Sequence, residues 1–93
     1  MFKCKVPMFG VSQEITDRRE VEIELGDDAR LRDVVAGLRR QVPALVGYAI
    51  LEKEDGLVEN FKFNVNGQFH HDDMDLEIRP GDRVALLIPI TGG

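Results

Sequence analysis

Residue types that carry out covalent catalysis are scarce in this chain. Cys4 is the single cysteine, and a thiol nucleophile is normally activated by a neighbouring base such as histidine. No histidine lies near Cys4 along the sequence, and free cysteine is among the most often buried residue types. Because Cys4 also falls on the inward phase of an alternating segment, we predict that it belongs to the hydrophobic core.

A second group of candidate ligands is formed by His70, His71, Asp72 and Asp73. A closed structural metal site takes four ligands, and no second cluster in the sequence completes one. Adjacent residues of a strand also point to opposite faces. We therefore predict a solvated loop at this position and no bound metal.

The other acidic residues are scattered over the segments that we interpret as strand faces and turns. No pair of carboxylates is brought together for acid-base catalysis, and no glycine-rich loop for phosphate binding occurs. The sequence thus offers no self-contained active site. We expect a protein that is not an enzyme on its own.

The last segment, Ile88-Pro-Ile-Thr-Gly-Gly93, has the clearest chemical potential. Pro89 lacks the N–H that would continue a strand, and the five residues from Pro89 to Gly93 can extend about 17 Å at roughly 3.3–3.6 Å each. Without side chains, Gly92 and Gly93 can enter a narrow channel and leave a carboxylate unhindered. A frayed terminus is the alternative. We predict a single domain over residues 1–88 and a flexible tail over residues 89–93.

Composition narrows the class of protein. A chain of 93 residues is the size of one domain, and its net charge of -5 removes the attraction on which nucleic-acid binding depends. One cysteine closes no internal disulfide, which fits a reducing compartment. Neither a secretory signal nor a run of about 20 apolar residues occurs. We expect a cytoplasmic protein with neither nucleic acid nor a membrane as partner.

Two segments near the start alternate between apolar and charged residues, as half-buried strands do. Phe2, Cys4, Val6 and Met8 share one face of the first, with Lys3 and Lys5 on the other. Val21, Ile23 and Leu25 share one face of the second, with glutamates on the other. Opposite charges on the outer faces favour an antiparallel hairpin.

The period then changes to that of a helix. Leu31, Val34, Val35, Leu38 and Val42 share one helical face, and Pro43 ends the helix. We predict that Arg32, Asp33, Arg39 and Arg40 face water and that Gly37 weakens the helix modestly. Arg30 stands where an N-cap side chain is expected. The segment from Ala44 to Leu51 fits either a short helix or a buried extended segment.

Strand patterns return in the second half of the chain. Phe61, Phe63 and Val65 alternate with polar residues before Asn66-Gly67, and Asn-Gly is a strong signal for a hairpin turn. A short strand over 68–70 should follow. After a Pro80-Gly81 turn, the residues from Arg83 to Ile88 are apolar on both faces, so this last strand is either central in the sheet or awaits a partner.

The order strand, strand, helix, strand, short strand, strand predicts an α+β fold of the β-grasp type. A mixed sheet of four to five strands then packs on one main helix.

This order, together with the final glycines, resembles the MoaD/ThiS family of ubiquitin-like sulfur carriers, and its MoaD branch more than ThiS. The resemblance covers essentially the whole chain. It rests on Val42-Pro-Ala-Leu45, Glu54-Asp-Gly56, Val65-Asn-Gly67, the segment from Pro80 to Ile88, and Pro89-Ile-Thr-Gly-Gly93. Where many relatives have an aromatic residue or a second proline before the glycines, this chain has Ile88-Pro-Ile-Thr91.

The resemblance implies a mechanism. A ubiquitin-activating-type enzyme (MoeB/ThiF-like) adenylates the Gly93 carboxylate with ATP, a persulfide enzyme then supplies sulfur, and Gly93 becomes a thiocarboxylate. No cofactor is bound by the carrier itself. The residues implied in partner binding are Leu87, Ile88, Pro89, Ile90, Thr91 and Gly92.

The first pathway implied is molybdopterin biosynthesis, with a MoaE-like large subunit as a further partner. Carriers for thiamin, cysteine or tRNA thiolation are alternatives within the same chemistry. A ubiquitin-like modifier that is joined through Gly93 to lysines is an alternative of a different class, and a plain binding module with a frayed tail is a third.

Overall fold

The two alternating segments at the start of the chain form an antiparallel hairpin in the computed structural model, which describes residues 1–9 and 15–87. Strand β1 is Phe2–Pro7 and strand β2 is Glu20–Leu25. Lys3 Nζ lies 3.5 Å from Glu22 Oε1, which confirms the expected charge pairing, although exposed pairs stabilise by at most about 1 kcal/mol.

The helix, α1, is Leu31–Gln41, and it lies on the inner face of β2. The predicted helical face is buried, and Val42 is buried directly after the helix ends. Helix α1 has no conventional N-cap side chain. Instead, the N–H groups of Leu31 and Arg32 donate to the carbonyl oxygens of Leu76 and Met74 at 2.8 and 3.0 Å. A distant loop thus satisfies the first amides of the helix.

The prediction that the Arg39 side chain faces water is wrong. Its guanidinium is half-buried and donates to the carbonyl oxygens of Leu51, Glu52 and Glu54 at 3.0, 3.1 and 2.6 Å. Arg39 Nη2 also lies 3.3 Å from Asp55 Oδ1. The loop after the helix returns over the last turn, and the five N–H donors of one guanidinium can satisfy several of its carbonyl groups. Arg32, Asp33 and Arg40 are exposed, as predicted.

Gly37 marks the closest approach between α1 and the sheet. A Cβ atom added at this position would overlap Cγ2 of Ile23, a branched and fully buried side chain of β2. Glycine at this position therefore allows the helix to pack close to the sheet. The stabilisation from this close packing outweighs the poor helix propensity of glycine.

We expect Gly37→Ala to lower the free energy of unfolding by about 1–3 kcal/mol, because overpacking a buried contact costs more than the improved propensity returns. Urea denaturation monitored by circular dichroism measures this change. Ala36→Gly is the matched control, since it changes propensity at the neighbouring, less buried position. A stabilised Gly37→Ala variant would show that the helix can shift away from Ile23.

The segment between α1 and the third strand begins with a short helix, one of the two alternatives that the sequence left open. A 3-10 helix spans Pro43–Leu45, and turns follow it. The side chains of Leu45, Ala49 and Ile50 are buried against the main core.

Three strands form the second half of the sheet. Strand β3 is Lys62–Val65, β4 is Gln68–His70 and β5 is Val84–Leu87. Strand β3 pairs antiparallel with both β4 and β5. The β3–β4 turn has positive φ angles at Asn66 (53°) and Gly67 (90°), which confirms the Asn-Gly hairpin.

A parallel bridge between Met8 and Leu86 joins the two hairpin systems. The resulting order across the sheet is β2-β1-β5-β3-β4, with β5 in the centre. The β-grasp prediction is therefore confirmed, and so is the central position of the last strand. Among the described residues, no helix is long and apolar enough to span a membrane.

Candidate functional site

Strand β5 leads the chain from the centre of the sheet toward the final glycines. Its outward residues are Ala85, which lies opposite Asn64 of β3, and Leu87, which lies opposite Lys62. Leu87 is the last described residue, and it is the one predicted site residue that the structure places. The others lie outside the described residues: Ile88, Pro89, Ile90, Thr91, Gly92 and Gly93.

Four apolar side chains lie around β5 on the face of the sheet opposite the helix, with Asn64 of β3 among them. Phe69 of β4 is 57% exposed and sits opposite Asn64, in the same cross-strand row as Ala85. Phe9 is 53% exposed and follows Met8, whose bridge to Leu86 places this segment beside β5. We refer to Phe9, Phe69, Ala85 and Leu87 as the outer apolar surface. Aromatic residues on such a surface are typical anchors of protein interfaces.

Phe69 was not predicted as a site residue, because a three-residue strand is too short to show which side chains face outward. A usable signal was present, however. The tight Asn66-Gly67 turn fixes the register, which sets Phe69 opposite the outward Asn64.

The start of β5 is fixed by a network around Asp82. Its carboxylate accepts hydrogen bonds from Arg79 N–H (2.8 Å) and from the Asn66 amide Nδ2 (3.0 Å). Asn66 Oδ1 in turn accepts from Arg83 N–H at 2.9 Å. The hydrogen bond from the Arg79 N–H, and to a lesser extent the one from the Asn66 amide, stabilises the charged carboxylate. The pKa of Asp82 is therefore lowered from its usual value. Hydrogen bonds thus join the Asn66-Gly67 turn to the Pro80-Gly81 turn, which the sequence predicted separately.

We expect Asp82→Ala to lower the free energy of unfolding by about 1–2 kcal/mol at neutral pH, because two hydrogen bonds are lost at a partly exposed site. Since the pKa of Asp82 is lower in the folded state, its contribution is present above the unfolded-state pKa and lost as pH falls through the folded-state pKa. The difference from wild type should therefore shrink below about pH 4. Urea titrations from pH 7 to pH 3 measure it, with Asp72→Ala as the control. A difference that stays constant across this range would contradict the assignment.

Cys4 lies in the core, as predicted, with 4% of its surface exposed. Burial raises the pKa of its thiol, and the negative charge of Asp82 adds to the rise. The thiol therefore stays protonated and is a poor nucleophile.

The two histidines have separate partners. His70 Nδ1 lies 2.8 Å from Asp73 Oδ2, and His71 Nδ1 lies 2.8 Å from the carbonyl oxygen of Phe61. Within residues 1–9 and 15–87, no three side chains of metal-binding type converge on one point.

Comparisons with known proteins agree with this geometry. The family model described as ThiS family matches residues 6–93. The chain is similar to the molybdopterin synthase sulfur carrier subunit of Chlamydomonas reinhardtii, with 29% identity over 91 residues that cover 98% of this chain and 99% of that protein. It is also similar to small archaeal modifier protein 3 of Haloferax volcanii, with 28% identity over 98% of this chain and 99% of that protein. The crystal structure of SAMP1 from Haloferax volcanii superposes with a TM-score of 0.83 at 23% identity, covering 99% and 100% of the two chains.

Proposed function

The chain belongs to the ThiS family of sulfur carriers and ubiquitin-like modifiers, and from this membership we propose that it carries sulfur as a thiocarboxylate on Gly93. The observation that supports the proposal most directly is the position of β5. Leu87, the last described residue of this strand, belongs to the outer apolar surface and lies six residues before Gly93 in the sequence. A partner bound to that surface can receive the glycines in its active site.

The chemistry proceeds in two stages. The Gly93 carboxylate attacks the α-phosphate of ATP on a MoeB/ThiF-like adenylating enzyme, which releases pyrophosphate and forms an acyl adenylate. The terminal sulfur of a donor persulfide then displaces AMP. A second thiol of the donor cleaves the S–S bond, so that the thiocarboxylate is released and the donor is left as a disulfide.

Cys4 takes no part in this sequence of steps. Its thiol is buried and protonated, whereas sulfur transfer requires an accessible thiolate or an activated acyl group. A carrier whose only cysteine is inert must hold sulfur elsewhere, which favours the terminal acyl group of Gly93.

The pathway that we propose first is molybdopterin biosynthesis in the cytoplasm. A MoaE-like large subunit is then the partner enzyme that receives the sulfur from the carrier. The support is the similarity to a protein named molybdopterin synthase sulfur carrier subunit, which extends over nearly the full length of both chains.

Protein modification is the second candidate function. The similarity to small archaeal modifier protein 3 in sequence favours it. In this case a lysine amine attacks the activated Gly93 acyl group and forms an isopeptide bond. Activation by adenylation is common to both functions.

Mass spectrometry of the intact protein and of its last peptide tests the proposal. We expect incubation with ATP, a persulfide donor and the host's adenylating enzyme to replace one oxygen of the Gly93 carboxylate by sulfur. A Cys4→Ala variant should acquire sulfur equally well. Gly93 linked to lysine would favour the modifier, and a carboxylate that stays free under all of these conditions would contradict both functions.

A further inference from the structure

A groove of about 390 Å³ opens between β1 and the segment that leads into β5. Within residues 1–9 and 15–87, the one backbone bridge between the first hairpin and β5 joins Met8, directly after β1, to Leu86. Residues nearer the beginning of both strands line the groove. Cys4 and Val84, both almost completely buried, form its floor together with Ala85.

The rim of this groove is positively charged. Lys5 and Arg83 are exposed and line it. In the part of the chain that the structure describes, no carboxylate oxygen lies within 4.0 Å of either cationic group. Lys3, by contrast, is paired with Glu22. The Asp82 carboxylate at the rim is already engaged by two hydrogen-bond donors.

This local charge stands out in a chain with a net charge of -5. Lys5 lies opposite Glu22 in the β1–β2 register, but the Glu22 carboxylate pairs with Lys3. Two cations with no described carboxylate oxygen within 4.0 Å, above an apolar floor, complement a ligand that carries an anionic group next to an apolar one. Ala85 belongs both to the groove and to the outer apolar surface. A molecule that covers that surface therefore reaches the groove without a break.

We propose that the groove is a second contact for the adenylating enzyme that receives Gly93, filled by a segment of that enzyme with an apolar side chain next to a carboxylate. The apolar group packs on Cys4, Val84 and Ala85, and the carboxylate pairs with Lys5 and Arg83. Continuity with the outer apolar surface favours a protein segment over a free metabolite. The inference rests on the proposed function, since it identifies a further contact of the same partner.

Charge reversal at the rim tests the inference. We expect Lys5→Glu and Arg83→Glu each to weaken the dissociation constant for the host's adenylating enzyme about tenfold or more. The loss should decrease at high salt, because exposed charges are screened. Lys53→Glu, which makes the same charge change in the exposed loop after Ile50, should bind as the wild type does. In ATP–pyrophosphate exchange, KM should rise while kcat is unchanged.

Filling the floor is an independent test. Ala85→Leu adds apolar volume to the groove without a change in charge, and it should also weaken binding. Thermal unfolding of each variant establishes that the fold is retained, and sedimentation reports any self-association.

The outcomes separate the two proposals. If the wild type is adenylated and the rim variants bind as Lys53→Glu does, the groove inference is overturned and the proposed function stands. If the wild type is not adenylated, both are overturned. If the rim variants abolish self-association of the wild type and leave enzyme binding intact, a second copy occupies the groove and the inference is wrong.

Discussion

A protein that lacks Gly92 and Gly93 should fold normally and lose adenylation completely. Removing two extended residues shortens the reach of the chain by roughly 7 Å, whereas a displacement of about 1 Å at a reacting group can already cost about 100-fold in rate. In the described part of the chain, no strand pairing between β3 and β5 involves these glycines, so thermal unfolding should match the wild type. ATP–pyrophosphate exchange with the host's adenylating enzyme measures the loss.

Replacing both glycines by alanine is the matched control for this deletion. The length is kept, but two methyl groups enter the channel that we expect the glycines to occupy, so the rate should fall without vanishing. Continued formation of a thiocarboxylate on the shortened chain would show that the glycines are dispensable. If the shortened protein also supports the function in cells, a plain binding module is the better interpretation.

Phe69→Asp should weaken binding of the adenylating enzyme by about 30-fold or more. Aromatic anchors in the centre of an interface often contribute at least about 2 kcal/mol, which corresponds to that change in the dissociation constant. The free energy of unfolding should change by only about 0.5 kcal/mol, since the ring is 57% exposed in the free protein. Isothermal titration calorimetry and urea denaturation measure the two effects.

Gln68→Asp is the control for Phe69→Asp. It introduces the same charge one residue earlier in β4, where successive side chains point to opposite faces. Binding should stay within about twofold of the wild type. Equal affinities for the two variants would show that the outer apolar surface is not the contact of this enzyme.

The two candidate functions use the same parts of the molecule. As proposed, sulfur transfer and lysine conjugation both begin with adenylation of Gly93, and both use a partner bound to the outer apolar surface. They differ in which nucleophile attacks the activated acyl group afterwards. The partner proteins determine that choice. Because both products change the mass of the last peptide, one mass spectrum distinguishes the thiocarboxylate from the isopeptide.

The sequence predicted those features that depend on neighbours along the chain. Alternation of apolar and charged residues correctly placed β1 and β2 because successive side chains of a strand point to opposite faces. The Asn66-Gly67 turn was predicted because few residue pairs accept positive φ at both positions. The glycines at positions 92 and 93 were predicted to be the reactive end from their place after the last strand and Pro89 and from the family resemblance, and the family match extends through them.

Other features were decided only by the tertiary structure. The helix begins without an N-cap side chain because carbonyl groups of Met74 and Leu76 accept its first N–H groups. The sequence predicted that Arg39 faces solvent, but in the structure its guanidinium donates hydrogen bonds to backbone carbonyl groups of the 51–55 loop. Each of these contacts joins residues far apart in sequence, and local periodicity carries no information about them.

The candidate site divides in the same way. The proposed reactive end, Gly93, was predicted from the residues of the last segment, from their place after the final strand and from the family resemblance. The proposed binding surface could not be predicted in this way, because Phe69 and the residues of the charged groove are brought near β5 only by the strand order β2-β1-β5-β3-β4. That order places β1 on one side of β5 and β3, followed by β4, on the other, through pairings between residues far apart in sequence.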